Sequence, residues 1–465
     1  MSDGPDICWF RRDLRVTDQP ALVGDGRTPT VSVFVVDPRP LATAGRRRRI
    51  LLARHLIALD ARLRELGGDL LVIHGDPVVE LPRLAGELGS RTVRWNGDVS
   101  GYAQRRDAAV RSALATVGAE ARVHWGTLVH PPGSVVARST GAVQRVFTPF
   151  SRAWAATERT PWADGAALLV PMADRRGLRV DTALGVDPDD EGDLLPEGGE
   201  LAAERRLGAW LDLVDDYEAR RDLPADDTGT SHLSSDLRFG TLSPRHVVDV
   251  VGTSTPGRAA FVRQLAWRDW YAHLLTERPE LAHAAMKPGL DDVVWRDDPD
   301  GFEAWRAGRT GYPIVDAGMR QLAATGWMHN RVRMITASFL VKDLLVDWRL
   351  GEAHFRHELI DAEVSQNAGN WQWVAGTGPD AAPYFRIFNP VTQSRRFDPT
   401  GAYLRRWVPE LRGLDDRSIH APWEVGPLDL AAAGVHLGDE YPWPIVDHAQ
   451  ARDRTLAAYG AAAGR

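Results

Sequence analysis

TVSVFVVDPRPLATAGRRRRILLARHLIALDARLRELGGDLLVIHG, residues 30–75, reads as strand, helix, strand, and that reading decides the fold of the N-terminal part of the chain. TVSVFVV at 30–36 is a short β-branched apolar run bounded by polar and Pro residues. Within 46–66, Ile50, Leu51, Ala53, Leu56, Ile57, Leu59, Leu63 and Leu66 recur near one face at helical spacing, and Gly67 and Gly68 end the helix. DLLVIHG at 69–75 returns to strand. Working outward, ICWF at 7–10, TVRW at 92–95 and ARVHW at 121–125 supply further strands. Short apolar strands alternating with helical patterns predict a parallel sheet covered by helices. Residues 1–130 are therefore expected to form an α/β domain with a Rossmann-like parallel sheet. No GxGxxG follows the first strand and no GxxxxGK[ST] occurs, so the usual nucleotide-binding loops are absent.

From 131 to 200 the patterns weaken, and VDPDDEGDLLPEGGE at 186–200 is rich in acid, Pro and Gly, which predicts a long inter-domain linker. Beyond it, 202–219, 261–276, 314–324, 331–346 and 354–360 read as helices with almost no alternating strand pattern. Residues 201–465 are expected to form an all-α domain.

A chain of 465 residues is long enough for several domains and for burying a bulky cofactor. Its single cysteine, Cys8, excludes an intramolecular disulfide and any four-thiolate zinc or iron-sulfur site, as in a reducing cytosol. MSDGPDICWF lacks the basic region and long apolar run of a signal peptide, and no run of 18 apolar residues occurs, so a soluble cytoplasmic protein is expected. The net charge of -7 argues against a protein that coats nucleic acid indiscriminately, while leaving room for a local basic patch. Of the 17 tryptophans, 12 lie after residue 200, more than packing alone calls for.

Three polar segments carry candidate chemistry. TGTSHLSSDLRFGTLSPR, 228–245, gathers hydroxyls at the expected start of a helix, where free N–H groups favour an anion such as a pyrophosphate. A hydroxyl-rich cap accounts for the same residues without a ligand. DAEVSQNAGNWQW, 361–373, puts two acids, four amides and two tryptophans together, as a pocket for a flat hydrogen-bonding ligand would, or a packed polar corner. WMHNRVRM, 327–334, adds His329, Asn330, Arg331 and Arg333, which read equally as a solvated helix start. His232, His246, His273 and His283 lack ligand spacing, so no metal is expected, and Ser365 and Thr377 sit in no GxSxG context.

Taken in order, WFRRDLRVTDQPAL (9–22), QLAWRDWYAHLL (264–275), TGYPIVDAGMRQL (310–322), WMHNRVRM, SFLVKDLLVDWR (338–349) and NWQWVAGTGPDAAPYFRIFNP (370–390) resemble the photolyase and cryptochrome family over nearly the whole chain. The nearest likeness is to class I photolyases of cyclobutane pyrimidine dimers. The resemblance implies FAD held by the helical domain, a monomer acting on damaged DNA, and light-driven electron transfer from the reduced flavin. It assigns Tyr217, Thr230, Ser231, His232, Leu233 and Ser234 to the FAD phosphates and their surroundings. Asn330, Arg333, Asp361 and Glu363 would hold the ribityl and isoalloxazine, with Asn367 facing flavin N5. Trp371, Trp348 and Trp295 match the family's electron-transfer chain. For DNA it implies phosphate contacts from Arg221, Arg268, Arg331 and Arg386, and lesion contacts from Gln264, Trp267, Asn330, Met334 and Trp373.

His232 stands where many relatives carry Arg, Glu363 where many carry Asp, and Gln264 where several dimer photolyases carry Glu. Plant-type cryptochromes place Asp where this chain has Asn367, which argues against that branch; a cryptochrome-like photoreceptor or redox sensor stands as the alternative. WNGDVSGYAQRRD at 95–107 resembles the deazaflavin-type antenna pattern through Asp98 and Tyr102, so a second chromophore is expected to be a deazaflavin rather than methenyltetrahydrofolate.

Overall fold

The computed structural model describes residues 4–137, 139–172, 177–287, 289–380, 383 and 385–464. Five strands, β1 (Asp6–Phe10), β2 (Thr30–Val36), β3 (Leu70–His74), β4 (Thr92–Asn96) and β5 (Glu120–His124), form one parallel sheet in the order β3-β2-β1-β4-β5. The register sets Ile7 against Val31 on one side and Val93 on the other. All seven residues of β2 are buried, because separate apolar clusters pack on the two faces of the sheet. A strand covered on both faces has no polar side to alternate with, hence its continuous apolar sequence. β5, at the sheet edge, is only partly covered.

Helix α1 (Arg46–Glu65) packs Ile50, Leu51, Ala53, Leu56, Leu59 and Leu63 against Cys8, Phe10, Phe34 and Val36. Ile57 and Leu66, expected on that face, are instead each 47% exposed. Ile57 lies at the azimuth of Ile50 but about two turns further on. Periodicity reports azimuth and is silent on what covers a helix along its axis. Leu66 lies past the last helical turn. Helix α2 (Pro77–Leu88) opens with the Asp76 carboxylate accepting the Val78 N–H at 2.9 Å and closes on Gly89 at φ 66°. Helix α3 (Gly101–Thr116) follows β4.

The segment 131–200 carries helix α4 (Phe147–Ala156) and bonds to the sheet strands. The Leu168 carbonyl accepts the Thr30 N–H at 2.8 Å, and the Val72 carbonyl accepts the Leu178 N–H at 2.9 Å. Its acidic run is tied to α1, where Arg46 and Arg47 pair with Glu191 at 3.0 Å. Arg54 donates to the carbonyls of Pro188, Leu195 and Asp190 at 2.7, 2.9 and 3.0 Å. The composition that suggested a long inter-domain linker thus serves docking onto an arginine-rich helix.

Helices dominate the remainder: α5 (Glu200–Leu211), α6 (Ser234–Phe239), α7 (Pro256–Glu277), α8 (Pro313–Thr325), α9 (Asn330–Ser338), α10 (Trp348–Glu358), α11 (Val364–Ala375) and α12 (His448–Ala462). The helix expected over 202–219 breaks after Leu211 into a 3₁₀ turn, Val214–Asp216, and a short helix, Tyr217–Arg220. The one expected over 331–346 ends at Ser338, gives way to a π turn, Phe339–Asp343, and passes through Leu345 at φ 56°. There Arg296, distant in sequence, donates its N–H to the Leu345 carbonyl at 2.8 Å. Tertiary partners have replaced the helical ladder.

By contact density the chain divides into two compact units, Met1–Asp215 with Ser231–Ala282 and Ile360–Ser365, and Asp216–Thr230 with His283–Leu359 and Gln366–Arg465. Among the described residues no helix is long and apolar enough to cross a membrane, and no group of three His, Cys, Asp or Glu side chains is placed to hold a metal ion.

Candidate functional site

In the first unit the segment before α6 carries a left-handed residue that is not glycine, His232 at φ 53°. Such backbone costs on the order of 1–3 kcal/mol and collects at functional sites. Ser231 Oγ accepts the Leu233 N–H at 3.3 Å, and α6 begins at Ser234 with no side-chain cap on its first turn. Nearby in the fold, Glu363 is buried and pairs with Arg12 at 2.6 Å and Arg268 at 3.3 Å. Burial pushes the Glu363 carboxyl up, but Arg12 and Arg268 outweigh it and hold it below the usual range. Arg12 also pairs with Asp98 at 3.3 Å, and Arg238 donates to the Ala362 carbonyl at 2.6 Å. Burial, with Arg12 and Arg48 close by, lowers Arg238 to about 9. Three guanidiniums thus surround two carboxylates beside Asp361. Arg12 and Arg238 carry no role in the sequence, because their partners Glu363 and Ala362 lie far away in the chain.

Helix α7 carries Gln264, Trp267 and Arg268, which share one side at i, i+3 and i+4. Trp267 is half-buried, its ring stacked on Phe147 with centroids 3.7 Å apart. Gln264 donates back to the Ala260 carbonyl at 3.3 Å. Arg268, expected at a DNA phosphate, is buried, and its guanidinium donates to the carbonyls of Thr127 at 2.7 Å and Leu237 at 3.2 Å besides pairing with Glu363.

At the carboxyl ends of β1 and β4, where the strand order reverses, the Arg11 and Arg106 guanidiniums lie 4.7 and 4.8 Å from the Trp9 ring centroid. Parallel sheets bind ligands at such a switch point. Asp98 accepts the Ser100 N–H at 3.2 Å and pairs with Arg12, while Tyr102 donates to Asp37.

In the second unit Thr230 Oγ1 is buried with no hydrogen-bond partner, and Arg221 lies 5.8 Å from the Tyr217 ring centroid. Helix α9 is capped by His329, whose Nδ1 accepts the Arg331 N–H at 3.1 Å. Asn330 is exposed, its amide 3.9 Å from Met334 Sδ one turn on, so the two share an outer face. Arg333 donates to the Met328 carbonyl at 2.7 Å, and Arg331 pairs with Asp222 at 2.9 Å while lying over Phe397. Arg386 is exposed and Trp373 half-buried. Asn367, nearly buried, donates its amide to the Glu352 carbonyl and Oε1 at 2.9 and 2.8 Å, which leaves Oδ1 as the atom offered to a ligand. Burial raises the Glu352 carboxyl, with Arg356 and Asn367 opposing.

Trp371 is buried edge-on to Phe355 at 5.0 Å and Trp305 at 6.2 Å, and a Cβ on Gly351 would lie 2.2 Å from its ring, so only glycine fits there. Trp348 is buried beneath the Arg349 guanidinium at 4.9 Å. Trp295 is half-buried, 6.0 Å from Tyr459. The three expected relay tryptophans therefore have different ring neighbours, and no direct ring contact among the described residues joins them.

Within the first unit the left-handed His232 and the arginine cluster, and within the second the orphaned Thr230 hydroxyl and the oriented Asn367 amide, each suit part of a group with phosphates and a hydrogen-bonding ring, and so fit FAD.

Residues 6–167 match the DNA photolyase family model, and residues 261–461 match the FAD binding domain of DNA photolyase. A deoxyribodipyrimidine photo-lyase of Halobacterium salinarum is 41% identical, with 98% of this chain and 99% of that protein covered. The crystal structure of a class III photolyase from Agrobacterium tumefaciens is 39% identical with a TM-score of 0.92, covering 100% of this chain and 99% of that one. A Synechocystis cryptochrome is 30% identical with a TM-score of 0.90, covering 98% of this chain and 100% of that one. With both halves matched in order and end-to-end relatives at this identity, the chain belongs to the DNA photolyase family.

Proposed function

We propose that the protein repairs cyclobutane pyrimidine dimers in DNA by light-driven electron transfer. The observation that carries this reading is end-to-end similarity to deoxyribodipyrimidine photo-lyases, joined to Asn367 in an orientation that offers an acceptor oxygen. The chemistry supplied by bound, reduced FAD is donation of one electron to the dimer on illumination, with return of the electron once the ring has opened. Tyr217, Thr230, Ser231, His232, Leu233 and Ser234 would hold the phosphates, and Asn330, Arg333, Asp361, Glu363 and Asn367 the rest of the cofactor. Glu352 fixes the Asn367 amide, so that its oxygen can accept a hydrogen bond without imposing a formal charge.

A dimer is cheaper to unstack than an intact pair, which favours its extrusion from the duplex. Trp267 and Trp373 would flank it, with Gln264, Asn330 and Met334 at its edges and Arg221 and Arg386 at phosphates. Arg268 and Arg331 already have carboxylate partners, so their part is to hold the surrounding structure in place. Trp371, Trp348 and Trp295 would serve reduction of the oxidised cofactor. A deazaflavin antenna is proposed at the β1/β4 switch point, with Asp98 and Tyr102 ordering the rim.

The test is to illuminate flavin-loaded, fully reduced protein with a thymine-dimer oligonucleotide and follow thymine absorbance. Light-dependent recovery of that absorbance is expected. No recovery would overturn repair and leave the photoreceptor or redox-sensor reading, to which the cryptochrome likeness also points.

A further inference from the structure

We propose that Phe147 is the positioning residue of the lesion-binding surface, holding the Trp267 indole in the plane it uses; this rests on the reading of Trp267 as a stacking wall. The Phe147 and Trp267 rings are nearly parallel, 13° apart with centroids separated by 3.7 Å. One face of the indole is therefore taken by Phe147, while Trp267 as a whole stays only half-buried. Trp270, edge-on at 5.1 Å, and Tyr271, tilted at 5.8 Å, hem the indole on the helix side.

Phe147 is itself anchored. It opens α4, and the neighbouring chain is tied to α7 at three points. Trp154 donates its indole N–H to Asp269 at 2.8 Å, Trp270 donates to the Gln144 carbonyl at 2.7 Å, and Glu277 accepts the Val143 N–H at 3.1 Å. Phe147 is 6% exposed and also meets Trp270 edge-on at 5.7 Å, so it has little room to turn. A solvent-facing tryptophan without such backing would have to give up rotamer freedom when a base stacks on it. Here the rotamer is set before the ligand arrives, and the free face is the one turned away from Phe147.

The test compares Phe147→Leu, which keeps apolar bulk and removes the ring, with Phe147→Tyr, which keeps the ring. Each is made alone and together with Trp267→Ala. Thymine-dimer and undamaged duplexes are titrated at one salt concentration, because phosphate contacts move both curves. Phe147→Leu should keep its flavin, bind undamaged duplex as the parent does, and lose about 2- to 10-fold in affinity for the dimer duplex. Phe147→Tyr should restore the parental value, and Phe147→Leu should add no loss in the Trp267→Ala background. Equal loss on both duplexes, failure of Phe147→Tyr to rescue, or a loss persisting in the Trp267→Ala background would overturn the positioning role. Unchanged dimer affinity in Trp267→Ala alone would instead sink the stacking-wall reading.

Discussion

Glu363 in the first unit and Lys342 in the second are both buried charges, and their surroundings differ in kind. Glu363 has two arginine partners, and its carboxyl is held below the usual range despite burial. Lys342 is fully buried in the π turn, where its ammonium donates to the Ala375 carbonyl at 3.0 Å and lies 3.6 Å from the Tyr459 ring centroid. Burial, with Lys287 adding to it, brings Lys342 down to about 7. The same burial therefore leaves one group charged and stabilising, and the other close to giving up its proton. The difference teaches that the sign of the neighbouring charge, arginines at Glu363 and Lys287 at Lys342, and not depth, decides what an interior charge does in this molecule.

The largest expected effect comes from breaking the arginine pairs of Glu363. Glu363→Gln leaves Arg12 and Arg268 facing a neutral amide, and loss of one partner from a buried pair costs about 3 kcal/mol or more. Denaturant unfolding should show that loss, together with reduced flavin retention. Because the folded-state pKa of Glu363 is depressed, its contribution is fully present above the ordinary Glu pKa and is lost as pH falls through the lowered value. The gap between parent and variant should therefore shrink in acid.

Lys342→Met probes the other side. Between about 7 and 10.5 the unfolded state binds the proton that the folded state has released, so the parent gains stability with rising pH across that window. The methionine variant should lack this rise. It should be more stable than the parent at pH 6, by up to a few kcal/mol, with the difference fading by pH 10. The Ala375 carbonyl keeps a donor in the Tyr459 hydroxyl at 2.8 Å, so the exchange strands no acceptor. A gap independent of pH, read from urea unfolding at both values, would contradict the assignment.

The smallest effect is expected at a charge that burial does not touch. Arg386 is exposed, and Arg386→Ala should leave stability unchanged while weakening damaged and undamaged DNA alike. The slope of log affinity against log salt should fall by about 0.9 if one phosphate contact is lost. An unchanged slope would remove Arg386 from the interface.

The sequence by itself determined the sheet, because five apolar strands separated by helical patterns admit few other folds, and it determined the family through long collinear motifs. Strand positions were legible almost to the residue, most plainly in β2, since a parallel strand covered on both faces must be apolar throughout. Helix limits were less so: 202–219 broke and 331–346 turned into a π segment where distant groups claimed the backbone. Side-chain partnership is what only the tertiary structure decided. Arg268 and Arg331 read as DNA contacts on type and motif alone, yet Glu363 and Asp222, each about a hundred residues away, hold them. Phe147 showed no sign of its place beneath Trp267. The physical reason is one of range: local pattern fixes which face of an element is apolar, whereas pairing and stacking depend on which remote segment the fold brings to that face.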